Sequence, residues 1–217
     1  MIEFSELLIE SVEDYNKLYE CVGKEAIDEQ AVDTLKKFLG TNCNRIVVEY
    51  PYHDKDFLST YYCYYSQKFR GFQKKCYRLH IMGEDEKYFG YIVLRPTVKG
   101  TRLGTTYLSP KPLLDEEAYL MLAKYEAHIM DNKRDIKCFP WMKQEVDIAV
   151  CAHVAAWTIL RYYGNKYHNY ADTTMGAIAQ KIKGDMGRKT PSNGLTPVQI
   201  ADLFQEYGFS PIIRGGM

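Results

Sequence analysis

Apolar residues along the chain switch between the helical period and the two-residue period of strands, and the switches mark out its elements. Residues 1–40 read as helical: Leu7, Leu8 and Ile9 precede Tyr15, Leu18, Tyr19 and Val22 at helix spacing. A further helix is expected from Asp28 to Gly40, with Ala31, Val32, Leu35, Phe38 and Leu39 on one side and Gly40 as its stop. Arg45–Tyr50 is short and β-branched, hence a strand, closed by Pro51. Asp54 or Asp56 can cap the next helix, in which Phe57, Tyr61, Tyr65 and Phe69 recur every four residues beside Leu58 and Tyr62. That spacing makes an aromatic ridge, usable as a stacking platform but more commonly a core face.

Three strands are expected next, at Lys75–Met82, Tyr88–Pro96 and Thr101–Ser109, with connections short enough for antiparallel hairpins. Arg95 and Arg102 flank the second turn; they could hold an anion together, although a solvated hairpin end is the simpler reading. Pro110 and Pro112 then break the sheet and suggest a domain boundary, giving modules 1–112 and 113–217. Glu117–Met130 alternates poorly, but the turn chemistry of Asp131-Asn132-Lys133 ahead of Ile136–Phe139 favours a hairpin.

From Ala149 or Val150 to Tyr163 the chain is apolar on nearly every side, as in a helix buried on most faces, and Gly164 is its expected stop. Asp172 or Thr173 should cap a short helix ending near Lys183. Beyond a polar loop, Thr196 as N-cap and Pro197 at the first helical position start another helix, running to Tyr207 and Gly208. Phe209–Arg214 reads as a strand.

The chemistry concentrates before the apolar helix. Cys151 stands at its start, where the macrodipole and unpaired N–H groups favour a thiolate, and Gln144 precedes it as a possible amide donor to an oxyanion. Those are two of the parts that acyl transfer by a cysteine needs. The alternative is that Cys151 is a small buried hydrophobe, as free cysteines usually are. A general-base His is harder to find. His153 lies about 200° around the helix axis from Cys151, His168 lies beyond the helix, and nothing in the pattern ties His53, His80 or His128 to the thiol.

Composition narrows the function classes. With 28 basic and 28 acidic residues, no electrostatic footprint for nucleic acid or anionic membrane is present. The N-terminus lacks the pattern of a signal peptide, and the apolar runs are too short to span a bilayer. The six cysteines form no CxxC pair, so zinc is not expected, nor any other cofactor; scattered free thiols suit a reducing, cytoplasmic setting.

In order and spacing, Gln144, Cys151, Arg161-Tyr162-Tyr163-Gly164, Met175–Ile182, Asn193-Gly194-Leu195 and Ile200–Gly208-Phe209 resemble the papain-like cysteine peptidases of the bacteriocin-processing (C39-like) kind. The resemblance covers about residues 136–214; it departs at Ala152 and His153, where that family usually has Gly and Pro. It implies Cys151 as nucleophile, Gln144 as oxyanion donor, and a peptide or protein substrate. In that family the base and its orienting Asp or Asn come from strands after the place where this sequence ends. The resemblance therefore implies a half domain, inactive by itself. The expected fold is α+β, N-terminal helices with an antiparallel sheet followed by an incomplete papain-like portion. The expected function is thiol-dependent amide hydrolysis; the alternatives are an inactive scaffold of the same fold and a protein-interaction module.

Overall fold

A computed structural model describes residues 2–96, 103–110, 119–144, 151–182 and 195–215. The fold class is α+β, and packing divides the chain into two compact units. Residues 1–54 and 73–143 form the first; residues 55–72 and 144–217 form the second. The expected boundary lay at 112/113. Instead the segment 55–72, between two strands of the first unit, belongs by its packing to the second.

In the first unit a five-stranded antiparallel sheet runs in the order β1-β2-β3-β4-β5. Its strands are β1 (Glu3–Leu8), β2 (Arg45–Tyr52), β3 (Cys76–Met82), β4 (Tyr88–Leu94) and β5 (Leu103–Leu108). The strands expected in β2 to β5 are therefore present. β1 is a correction: residues 3–8 were expected to be helical, yet they pair with β2 from Glu3↔Tyr50 to Leu8↔Arg45. Only Leu7 of this edge strand is fully buried, so its two-residue period is faint, and pairing with a neighbouring strand overrides local preference. The helical part follows as a 3-10 turn (Val12–Lys17), α1 (Leu18–Val22) and α2 (Glu29–Leu39). α2 starts where Asp28 accepts from the Ala31 N–H at 2.7 Å, a normal N-cap bond.

The sheet has two unlike faces. Ile46, Val48, Leu79, Ile81, Ile92 and Leu94 point to one side and pack with Leu18, Val22, Val32, Leu35 and Leu39 of the helices, an aliphatic core. On the other side, neighbouring register positions place Glu49 beside Arg78 and His80 beside Tyr91. The hairpin expected from its turn chemistry, β6 (Ala123–Ile129) and β7 (Asn132–Cys138), is present, and it packs there. Its strand β6 alternates strictly, burying Ala123, Tyr125, Ala127 and Ile129 while Lys124, Glu126 and His128 face solvent.

One irregularity decides which tyrosine reaches the polar face. The β3–β4 register shifts between Ile81 and Met82, so Met82 faces Tyr88 rather than Phe89. Such a bulge swaps side-chain parity. Phe89 turns into the aliphatic core, and Tyr88 joins His80 on the opposite face. The bulge runs through Gly90, whose φ of +130° is open to glycine and rarely to other residues.

The described part of the second unit is helical: α3 (Lys55–Cys63), a 3-10 turn (Tyr65–Gln67), α4 (Cys151–Lys166), α5 (Met175–Lys181) and α6 (Pro197–Glu206). The aromatic ridge divides where α3 ends. Phe57 and Tyr65 are core residues with ring centroids 6.2 Å apart, whereas Phe69 is fully exposed. α4 continues past its expected stop at Gly164. A Cβ there would lie 2.8 Å from the Ala171 carbonyl oxygen, so this glycine permits a close backbone approach rather than ending the helix. The cap of α5 is Thr174, not Asp172 or Thr173; its side chain accepts from the Ala177 N–H. Residues 209–214 form no strand; the Phe209 ring instead stacks on Tyr170, centroids 4.3 Å apart.

α6 begins as its sequence predicts. Thr196 and Gln199 form a reciprocal capping box, with Pro197 at the first helical position. Thr196→Ala is therefore expected to cost about 1 kcal/mol, read as a lower urea midpoint at unchanged slope. An unchanged midpoint would show that the cap contributes nothing.

Candidate functional site

Helix α4 is described from Cys151 onward, and Cys151 is exposed. What holds this helix lies further along it. Ala156, Trp157, Leu160, Arg161 and Tyr162 are buried, while Cys151 to Ala155 are exposed or half-buried. Asp56 of α3 fixes the buried segment. Its carboxylate accepts from Trp157 Nε1–H at 2.8 Å, from the Arg161 guanidinium at 2.8 and 2.9 Å, and from the Met175 N–H at 3.2 Å. Asp54 or Asp56 was expected to cap α3; Asp56 lies inside that helix, and burial at 2% exposure and these four bonds make it the anchor of α4 and α5. Trp157 was expected in the core and is fully buried. Arg161 also meets Asp172 at 3.0 Å, and Lys55 meets Asp172 at 2.6 Å.

The other residues expected around the thiol are spread out. Gln144 is exposed, and residues 145–150, including Asp147, lie outside the described residues. His153 is half-buried and its Nδ1 has no hydrogen bond; burial pushes the imidazole below its ordinary pKa. His53, His128 and His168 are exposed. Among the described residues no imidazole hydrogen-bonds Cys151. The remaining cysteines are free as well. Burial pushes the thiols of Cys21, Cys43 and Cys63 up and that of Cys138 to about 12, away from the thiolate that nucleophilic chemistry uses.

The turn that Arg95 and Arg102 were expected to flank lies outside the described residues, but Arg95 itself is described. It is buried, and its guanidinium donates to the carbonyls of Leu103 at 2.9 Å and Lys143 at 3.0 Å; Arg102 lies outside the described residues. Among the described residues no group of three or more His, Cys, Asp or Glu is arranged to hold a metal ion. Among them, too, no helix is long and apolar enough to cross a membrane.

A second polar constellation, on the bulged face of the sheet, was not anticipated. His80 is fully buried; its Nε2 meets the Glu49 carboxylate at 3.1 Å and its Nδ1 meets the Tyr88 hydroxyl at 2.8 Å. Arg78 Nε donates to the same Glu49 oxygen at 2.6 Å. Carboxylate, imidazole and hydroxyl in a row match the order of a nucleophilic triad. Two features deny them that role: the imidazole is sealed from solvent, and burial raises the Tyr88 phenol far above its ordinary pKa. With Glu49 ionised, His80 donates through Nε2 and accepts from Tyr88 through Nδ1, a fixed neutral tautomer. The available signal was polar residues at two-residue spacing inside apolar strands, Arg78 and His80 between Tyr77, Leu79 and Ile81.

Scanned against protein-family models, the curated proteins and the solved structures, the chain matches none.

Proposed function

We propose that the second unit carries a cysteine nucleophile and serves thiol-dependent amide-bond hydrolysis within a papain-like fold. The observation that carries this reading is that Cys151 is exposed and lies on a long helix held by a buried carboxylate anchor, just after the helix start expected from sequence at Ala149 or Val150. Backbone N–H groups of a helix's first turn have no intrahelical acceptor, so they are available to a thiolate and to the oxyanion formed when it attacks a carbonyl. The Gln144 amide is the proposed side-chain donor to that oxyanion. The order of Gln144, Cys151 and the helices that follow supports the same assignment. Hydrolysis also needs a base to take the thiol proton and deliver it to the leaving amine. That base is an imidazole which the described residues do not place beside Cys151.

Alkylation by iodoacetamide, mapped by mass spectrometry, tests the nucleophile separately from turnover. At pH 7, Cys151 is expected to react about tenfold faster than exposed Cys21, as a helix-start thiol does. Cys151→Ala should abolish the fast phase. Equal rates at both positions would sink the nucleophile assignment and favour an inactive scaffold.

A further inference from the structure

The polar face beneath the hairpin contains a titratable group whose proton uptake the packing opposes. The hairpin covers that face through three sets of contacts. Ile129 packs with Val47 and Met82, the Tyr125 ring lies 4.5 Å from that of Tyr107, and Arg78 donates to the His128 carbonyl at 2.9 Å. A fourth contact is at the rim, where Arg134 of β7 meets Glu86 at 3.5 Å. The guanidinium that reaches the hairpin is the one that Glu49 holds, and Glu49 also holds His80. Sheet, imidazole and cover therefore share one carboxylate.

We propose that the β6–β7 hairpin is an acid-sensitive cover, loosened when His80 takes up a proton.

Every element around His80 supplies groups that bear on this. Glu49 and Tyr52 come from β2, Arg78 from β3, Tyr88 and Tyr91 from β4, Tyr107 from β5, and Tyr125 and Arg134 from the hairpin. Tyr52 lies under the Arg78 guanidinium, 4.1 Å from ring centroid to cation. With His80 neutral, Glu49 and Arg78 balance each other. With His80 protonated, two cations share one buried carboxylate, and the Tyr88 O–H loses its acceptor at Nδ1. Burial, then Arg78, hold His80 below its ordinary pKa, although the Glu49 hydrogen bond opposes them. Burial alone would raise the Glu49 carboxyl, but His80 and Arg78 pull it below the usual range.

The sign follows from linkage. An opened cover returns His80 to water, where it protonates near 6.5; the closed form does so only at lower pH. Between those two values the open form binds more protons. The opening constant should therefore rise by up to about tenfold per pH unit of acidification and stay flat above 6.5. Carboxylates protonate mostly below this window, so its upper part isolates the imidazole.

Amide hydrogen exchange on the full chain tests the proposal, after correction for the intrinsic pH dependence of exchange. Protection of residues 123–138 should fall by up to about tenfold per pH unit below 6.5 while that of 29–39 holds. His80→Gln, which stays neutral, should remove the response; His128→Gln, altering an exposed imidazole on the hairpin itself, should leave it intact. A flat wild-type profile, or an acid response that persists in H80Q, overturns the proposal. Should H80Q not fold, wild-type NMR decides the matter. Hairpin resonances must titrate together with the His80 ring, and a His80 titration that leaves the hairpin unmoved overturns it equally.

Discussion

Asp56→Ala is expected to destabilise the second unit by about 3–5 kcal/mol, the range for removing one partner of a buried ion pair. Two costs add. The Arg161 guanidinium, 3% exposed, would lose its buried carboxylate partner and keep the half-exposed Asp172. Trp157 Nε1–H and the Met175 N–H would lose their acceptor in a dry site, where an unsatisfied donor costs about 1–3 kcal/mol. Asp56→Asn should cost less, because its amide oxygen still accepts from Trp157 and Met175 while the charge is lost. Urea unfolding followed by Trp157 fluorescence in a Trp141→Phe background measures the series. The order Ala worse than Asn, worse than wild type, is expected; an alanine variant within 1 kcal/mol of wild type would refute the anchor.

Gly90→Ala is the second large effect, on the order of 3 kcal/mol, the upper part of the usual overpacking range. An added Cβ would lie 1.9 Å from the Tyr107 carbonyl oxygen, and no rotamer can relieve a contact between Cβ and backbone. The φ of +130° adds backbone strain for any residue with a Cβ. Relief requires β5 to move from β4 or the bulge to straighten, and straightening would turn Tyr88 away from His80. Lost stability should therefore come with a changed His80 ring environment, visible in its proton chemical shifts. Gly71→Ala is the control: nothing lies within 4 Å of its added Cβ, and a change within about 0.5 kcal/mol is expected. Equal behaviour of the two variants would rule out the close approach at Gly90.

Much of the fold was readable because local pattern and tertiary environment agree. β2 to β5 have the period and punctuation of strands, and α2 and α6 carry their own caps. The failures have physical causes. β1 reads as a helix because a single inward Leu7 leaves little alternation, and its strand state depends on a partner 37 to 47 residues away, as in Leu8↔Arg45 and Glu3↔Tyr50. Gly164 reads as a stop because its use, contact with the 171–172 backbone, depends on how the chain returns. Asp56 reads as a cap because its partners are more than 100 residues away. At the candidate site, a long apolar helix carrying Cys151 was legible from its composition, while its expected start at Ala149 or Val150 lies outside the described residues. The Glu49–Arg78–His80 constellation was not, since polar residues at alternate strand positions ordinarily signal a solvent face, and here a hairpin from later in the chain covers them.

The excursion at 55–72 has a consequence for the order in which the protein can assemble. A ribosome delivers α3 before most of the first unit's sheet, and about a hundred residues before Trp157 and Arg161. Domains generally fold from the N-terminus as they emerge, so strands β3 to β5 can complete their sheet while α3 still awaits its helical partners. During that interval Asp56 remains hydrated, and it is desolvated only when a cation and an indole arrive to meet it. Contacts this distant in sequence close slowly. The second unit is thus expected to mature last, and α4 takes its final place only after the sheet upstream has had time to form.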